Sequence, residues 1–584
     1  MSWKYLFERK TLAMLHAELQ DEKRLHRVLG PVALTSLGVG AIIGAGIFAM
    51  TGRVAAEDAG PAVVLSFAVA GIACMFAALC YAEFAAMAPV AGSAYTYTYA
   101  TLGEIWAWVI GWDLILEYAM SCSVVAAHWT HYLDEALRTI LGISIPLQFT
   151  SDPFTKIYLT DGSMIQPYCN LPAILIVGMI TYVLVIGIRE SAAMNTVFVI
   201  IKLAVVLLVI GLGLFYVSPQ NWTELPIENR REINLLDYLH RHEDIASKVS
   251  MGDVNSFTTG EEFLKAHPDL ADELSPTRKS VIAGLPNEAK KWGLLSILGI
   301  KSLLDPIDDA VRSPFMPYGF SGLMIGAALV FFAYIGFDSI STHAEEARRP
   351  ERDVPLAILI ALTLCTLLYM LVSAVITGME NYWQIDPNAA LASAFRKRAQ
   401  IENSPMLKAC AGLIAVGAIA GLTSVILVNF LSQSRIFLAM ARDGLLPKGL
   451  FGVVHEKYRT PHRSTILTGI FIASTAGFFP IRLLEEMVSI GTLMAFVLVC
   501  GSVMMLRIRN PDAHRPFRCP ALFLIAPLGI LVNLTLMLFL PLDTWFRLLI
   551  WLAFGFLLYF AYGIRHSVLR KKLASAVTLP EESR

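Results

Sequence analysis

Apolar residues along this chain gather into about twelve long runs, and polar positions collect between them. A segment needs about 20 mostly apolar residues to cross the hydrocarbon of a bilayer. By that measure spans are predicted near 32–51, 61–88, 104–136, 171–188, 193–217, 319–342, 355–378, 407–432, 464–479, 484–506, 521–540 and 545–565. The ninth is the shortest. The first apolar run follows a long charged tail, so no cleavable signal peptide is expected. That tail, 1–31, mixes Trp3, Tyr5 and Phe7 with Lys4, Arg9 and Lys10. A helix lying on the membrane surface and a solvated tail both fit it.

Composition narrows the class. The 584 residues are 56% hydrophobic and 16% charged, with a mean hydropathy of +0.60. Soluble chains carry about 25% charged residues, so a water-soluble enzyme, a disordered chain and a fibrous one are all excluded. A net charge of −1 lacks the basic excess that nucleic acid would demand. An all-α, multi-pass integral membrane protein remains.

Orientation follows from lysine and arginine in the short loops. One set of segments carries Arg348, Arg349, Arg352, Arg435, Arg442, Lys448, Arg507 and Arg509, and the tails add Lys23, Arg24, Arg570 and Lys571. The opposite short loops carry fewer, among them Arg53, Arg138, Arg396 and Arg482. Both termini are therefore expected on the cytoplasmic side of the cell (inner) membrane, as an even number of spans requires.

The polar stretch 218–318, between the fifth and sixth spans, falls on the external side. It is too long for a plain connector and reads as a small ordered cap, with room for a protein partner. It holds no cysteine. Of the eight cysteines only Cys169 falls outside, and none has metal-ligand or redox spacing. No metal and no nucleotide or other cofactor is expected.

Two spans carry irregular signals. The first reads Gly38-Val39-Gly40-Ala41-Ile42-Ile43-Gly44-Ala45-Gly46, and so many glycines weaken a helix. Close packing of small residues at spacing four explains Gly40 and Gly44, and spacing alone favours it. An unwound break at Gly44-Ala45-Gly46 would instead expose amides able to hold a carboxylate. The sixth span holds Phe331-Phe332-Ala333-Tyr334-Ile335-Gly336-Phe337-Asp338, where an acid beside glycine is unlikely to face lipid. Glycine-interrupted helices at corresponding places in two halves point to a transporter site, and spans one and six correspond if the repeat is five plus five.

Charges inside spans gather at one depth. Lys202 lies about nine residues into the fifth span, roughly 14 Å deep at 1.5 Å per residue. Glu117 sits well inside the third span, with Asp113 one turn earlier on the same face, and Asp338 is near the middle of the sixth. Asp113 reads as a structural ion-pair member; Lys202, Glu117 and Asp338 read as functional. A buried amine can carry or release a proton, or stand in for a sodium ion by touching carbonyls freed in the first span. Thr423 and Ser424 in the eighth span can complete that lysine site. Glu117 and Asp338 can meet a cationic side chain or relay a proton.

These residues resemble a known family. Cys80-Tyr81-Ala82-Glu83-Phe84 through Pro89-Val90-Ala91-Gly92-Ser93, Gly111-Trp112-Asp113-Leu114-Ile115-Leu116-Glu117-Tyr118, Gly336-Phe337-Asp338, Glu345-Glu346-Ala347-Arg348-Arg349-Pro350 and Arg435-Ile436-Phe437 through Arg442-Asp443-Gly444 occur in order. Together they resemble the cationic amino acid transporters of the amino acid–polyamine–organocation superfamily. The match covers spans one to ten. It implies a LeuT-like fold of two inverted five-helix repeats, 32–217 and 319–506, followed by two further helices in 507–566 and a tail at 567–584. It also implies that amides at Ile43, Gly44, Ala45 and Gly46 hold a substrate carboxylate. Carbonyls of Phe332, Ala333 and Ile335 would hold the amino group, with Asp338 and Glu117 toward the side chain. Lys202 and Glu117 would serve proton coupling, with Thr423 and Ser424 supporting the lysine. The insert is longer than in typical bacterial relatives, while twelve spans rather than fourteen place the chain with them. The expected activity is proton-coupled uptake of cationic amino acids such as arginine, lysine and ornithine. A neutral amino acid symporter, an exchanger, or an amino-acid-binding sensor on the same fold are the rivals.

Overall fold

The computed structural model describes residues 7–10, 29–44, 46–87, 93–158, 164–187, 191–224, 235, 238–239, 242–249, 260–275, 278–279, 282–283, 285, 292–342, 347–458 and 460–577. Each of the twelve apolar runs falls on helix. The principal helices are α1 (Pro31–Ile42), α2 (Val63–Met87), α3 (Glu104–Leu141), α4 (Leu171–Ile186), α5 (Ser191–Gly213) and α6 (Gly319–Val330). They are followed by α7 (Pro350–Met379), α8 (Pro405–Arg442), α9 (His462–Phe478), α10 (Ile481–Arg509), α11 (Leu522–Phe539) and α12 (Leu542–Leu558). Eight described helical stretches are long and apolar enough to cross a membrane, and α1, α4 and the Gly319–Tyr334 stretch are shorter apolar ones. Inside lipid, water cannot satisfy backbone polar groups, so a spanning chain forms helices that satisfy their own. The protein is an all-α integral membrane protein. Its described extended structure is a two-residue hairpin, Ile157–Tyr158 against Met164–Ile165, and an isolated bridge between Leu29 and Ala347.

Burial sorts the helices. The apolar window of α3 is wholly buried, whereas that of the Leu542–Lys572 stretch is only 22% buried. The 38-residue helices α3 and α8 pack along one another, and α7 lies against α1, α2 and α5. Large apolar side chains left exposed on the outer helices, such as Leu175, Ile200, Ile470, Leu531 and Leu557, face where hydrocarbon would lie. Polar residues within that window of α3 therefore meet protein, not lipid.

Of the N-terminal tail, residues 7–10 and 29–31 are described, so the surface helix considered over 1–31 lies largely outside the described residues. The tail does reach the bundle. Lys10 bonds Asp443 at 2.7 Å, and Glu104 N donates to Glu8 O. In the 218–318 stretch, short helices at Gly260–Ala266 and Pro268–Glu273 share an apolar cluster with Leu235, Tyr238, Leu239 and Ile245. That cluster is separate from the main core. Trp292 ties the far end of the stretch to α11 through Phe539.

Candidate functional site

The first span is interrupted. Ile43 ends α1 in an extended conformation (ψ 102°), and helix resumes at Gly46. Ile43 N still donates to Val39 O at 2.8 Å, and Phe48 N donates to Gly44 O at 3.2 Å. Helical structure then runs through Gly46–Met50, Thr51–Val54 and Ala55–Ala59, two of these segments being π-type. A resumed helix opens with amides that have no intrahelical acceptor, so this end is electropositive. Ile43, Gly44 and Gly46 flank the break, and Ala45 lies outside the described residues.

The sixth span is interrupted at the matching depth. α6 passes into a tight turn at Phe331–Tyr334, Ile335 is extended, and Gly336 takes φ +111°. A short helix, Ser339–Thr342, follows. The closing turn of α6 ends in carbonyls, so this end is electronegative.

The two breaks cross at contact distance. A Cβ on Gly46 would lie 2.4 Å from Ala333 Cα, and one on Gly336 would lie 2.9 Å from the Ala41 carbonyl group. Packing and unwinding, which the sequence offered as rivals for the glycines, therefore occur together: glycine lets one broken backbone touch the other. Gly44 packs on Val425 of α8. An amide end and a carbonyl end brought side by side suit the carboxylate and amino groups of one small zwitterion.

Tyr369 of α7 joins the breaks directly. Its hydroxyl is 2.7 Å from Ile42 O and 2.9 Å from Ala333 O. Of the carbonyls named from the sequence, Ala333 thus accepts from Tyr369, and Phe332 accepts from Ile335 N. Tyr132 of α3 donates to Phe48 O at 2.6 Å. Neither tyrosine is distinguishable in the sequence, because an aromatic in an apolar run looks like core.

Lys202 is completely buried and donates to Gly40 O at 2.6 Å. Gly421 of α8 lies against its aliphatic stem. Thr423 and Ser424 turn elsewhere: their hydroxyls bond Ile419 O and Gly421 O in their own helix, and Thr423 also accepts from Trp129. The hydroxyls back-bond, as serine and threonine inside a helix commonly do.

Asp338 Oδ2 accepts from Tyr118 OH at 2.6 Å, and its Oδ1 accepts from Gly336 N at 3.3 Å. Glu117, the neighbour of Tyr118, is buried beside Asp338 and Asp113, with Oε2 lacking a hydrogen-bond partner. The ion pair expected for Asp113 is not formed. Both its oxygens are buried without a hydrogen-bond partner, and the backbone of Gly491 in α10 lies close to them. The structure thus brings three carboxyl groups near one another, while Lys202 lies against α1 and α8 just before the first break.

Charged networks that sequence reading left among the loops lie above and below. Toward the 218–318 end, Arg482 bonds Asp58 (3.0 Å), Glu57 (3.3 Å) and Glu486 (3.3 Å). Beside it, Glu485 takes His128 at 2.9 Å and Arg53 at 3.5 Å. At the opposite end Glu83 meets Arg507 and Arg515. Glu104 accepts from Tyr559 and Arg570, each at 2.8 Å, and from Ser567. The adjacent acids Glu485-Glu486 at the head of an apolar run were the available signal.

Interrupted helices meeting inside an all-α bundle, with buried charge beside them, are an arrangement that membrane transporters use. The chain belongs to the amino acid permease family, whose model matches residues 29–261 and 293–560. It is 37% identical over 566 residues to a methylthioribose transporter of Bacillus subtilis (strain 168), covering 97% of this chain and 99% of that one. It is 38% identical over 568 residues, with the same coverage, to the branched-chain amino acid permease BcaP of that organism. A vacuolar cationic amino acid transporter 4 of Arabidopsis thaliana is 31% identical over 510 residues, or 87% of this chain and 68% of that one.

Proposed function

We propose that this chain is a proton-coupled permease of the cell membrane that takes up cationic amino acids by alternating access. The observation that carries the coupling is the Lys202 ammonium on the Gly40 carbonyl, one turn before the first break. An ammonium there supplies the positive charge that a sodium ion would bring, and it can be gained and lost as a proton. Substrate amino and carboxylate groups bind at the crossed breaks, between Ile43, Gly44, Ala45 and Gly46 on one side and Phe332, Ala333 and Ile335 on the other. Glu117, with an unpartnered oxygen, faces a cationic side chain, and Asp338 backs it. Thr423 and Ser424 shape the α8 wall beside the lysine. The two halves, 32–217 and 319–506, act as inverted repeats, and both termini lie in the cytoplasm with the basic loops.

A second reading is supported by one contact and two relatives. Asp338 is already engaged by Tyr118, which fits a neutral guest. The relatives matched over nearly their whole length are named for branched-chain amino acids and methylthioribose.

Uptake of labelled arginine, lysine, leucine and alanine into proteoliposomes, with inward proton or sodium gradients imposed separately, tests both. Cationic uptake driven by the proton gradient is expected. Leucine uptake alone under the proton gradient would establish the neutral reading, and dependence on sodium would remove the role given to Lys202.

A further inference from the structure

Beyond the transport pathway, the bundle end opposite the 218–318 stretch carries a cavity of about 460 Å³, bordered by Gly444, Lys448, Tyr562, His566, Lys571 and Lys572. That volume lies in the range of small-ligand sites. Its walls come from the turn after α8 and from the chain just beyond α12, and backbone contacts fix their spacing. Gly444, at φ +78°, brings its backbone against His566 O, and Val568 N donates to Asp443 O at 2.9 Å. His566 stacks on Tyr562 with ring centres 4.0 Å apart and places Nδ1 2.9 Å from the Tyr562 carbonyl.

Lys448 and Lys571 are exposed and, among the described residues, form no salt bridge. Among the described residues, Asp443 is committed to Lys10 and Tyr95, and Glu104 to Arg570, Tyr559 and Ser567. Clustered ammonium groups at the mouth of a fixed cavity suit a phosphate-bearing anion. A membrane lipid is the favoured source, because exposed apolar side chains at Phe546, Leu549, Ile550, Leu557 and Phe560 run along α12 and its continuation toward the cavity. Acyl chains lying on that face would deliver their headgroup to the lysines, the arrangement by which basic pockets beside membrane helices hold anionic headgroups.

We propose that this cavity is a binding site for the phosphate headgroup of an anionic lipid, seated between the α8–α9 turn and the end of α12.

Native mass spectrometry of the full chain in neutral detergent tests it, with phosphatidylglycerol, phosphatidylethanolamine and inorganic phosphate as separate additions. One tightly retained phosphatidylglycerol is expected, at least fivefold better kept than phosphatidylethanolamine. The Lys448→Gln/Lys571→Gln/Lys572→Gln variant should lose that retention, and the matching triple arginine variant should keep it. Equal retention of the two lipids, or undiminished phosphatidylglycerol in the glutamine variant, would overturn the proposal. Millimolar phosphate displacing the lipid completely would overturn the lipid as source. If the triple glutamine variant does not fold, Lys448→Gln alone against Lys448→Arg gives the same comparison.

Discussion

Lys202 holds an unusual position for a lysine: no exposed surface and, among the described residues, one carbonyl, that of Gly40, for its ammonium. Long basic side chains in membranes normally reach for the interface, and Lys202 does not. Replacing Lys202 with alanine should leave the fold intact, since the unpaired Gly40 carbonyl costs about 1–3 kcal/mol. The same change should cut the stimulation of uptake by an inward proton gradient at least tenfold. Uptake measured across external pH 5 to 8 in proteoliposomes checks this, and an unchanged pH profile would take Lys202 out of the coupling. Lys202, Glu117 and Asp338 were legible in the sequence because charge inside an apolar run is rare. Tyr369, Tyr132 and Tyr118 were not, since a tyrosine in the core can be packing or a hydrogen-bond donor and only its neighbours decide. Asp113 shows the opposite error. As a charge inside a span it read as a structural ion-pair member, yet among the described residues it forms no salt bridge and neither oxygen has a hydrogen-bond partner.

At the scale of elements, the first and sixth spans work as pairs of half-helices whose junctions touch. Glycine is required at Gly46 because the Ala333 backbone occupies the place of a side chain, and at Gly336 because φ +111° puts the backbone where side chains are strained. Gly46→Val should therefore push the breaks apart and abolish uptake, while the outer helices keep the protein monodisperse on size-exclusion chromatography. Gly178, which has open space around it, should accept valine with uptake within twofold of the parent. Transport by the Gly46→Val protein at parental rate would show that the crossing is not part of the pathway. The break was visible in the sequence only as a choice between packing and unwinding. Spacing along one helix cannot tell these apart, because the answer lies in what the partner helix places opposite.

Across the whole molecule, ionic networks bracket the crossed breaks. Arg482 and Glu485 gather acids and bases from α3, α10 and the second half of the first span, and Glu104 gathers donors from the chain just beyond α12. Removing one member of a buried pair is far costlier than omitting both, about 3–5 kcal/mol, because a charge is stranded. Glu104→Ala strands Arg570 and should lower the thermal midpoint clearly in detergent. Glu104→Ala combined with Arg570→Ala should recover part of the loss. No difference between the single variant and the parent would mean that the far end of the bundle is held by packing alone.

The sequence by itself determined the membrane class, the twelve helical runs and the level at which their few charges lie. Each of these follows from one-dimensional quantities: the apolar length that a bilayer demands and the cost of charge within it. Only the tertiary structure decided which groups meet. The contact of Gly46 with Ala333, the tyrosine spanning both breaks, the unpaired Asp113 and the lysine-lined cavity all join residues distant in the chain. Their chemistry depends on distances of a few ångströms, which no spacing along one helix specifies.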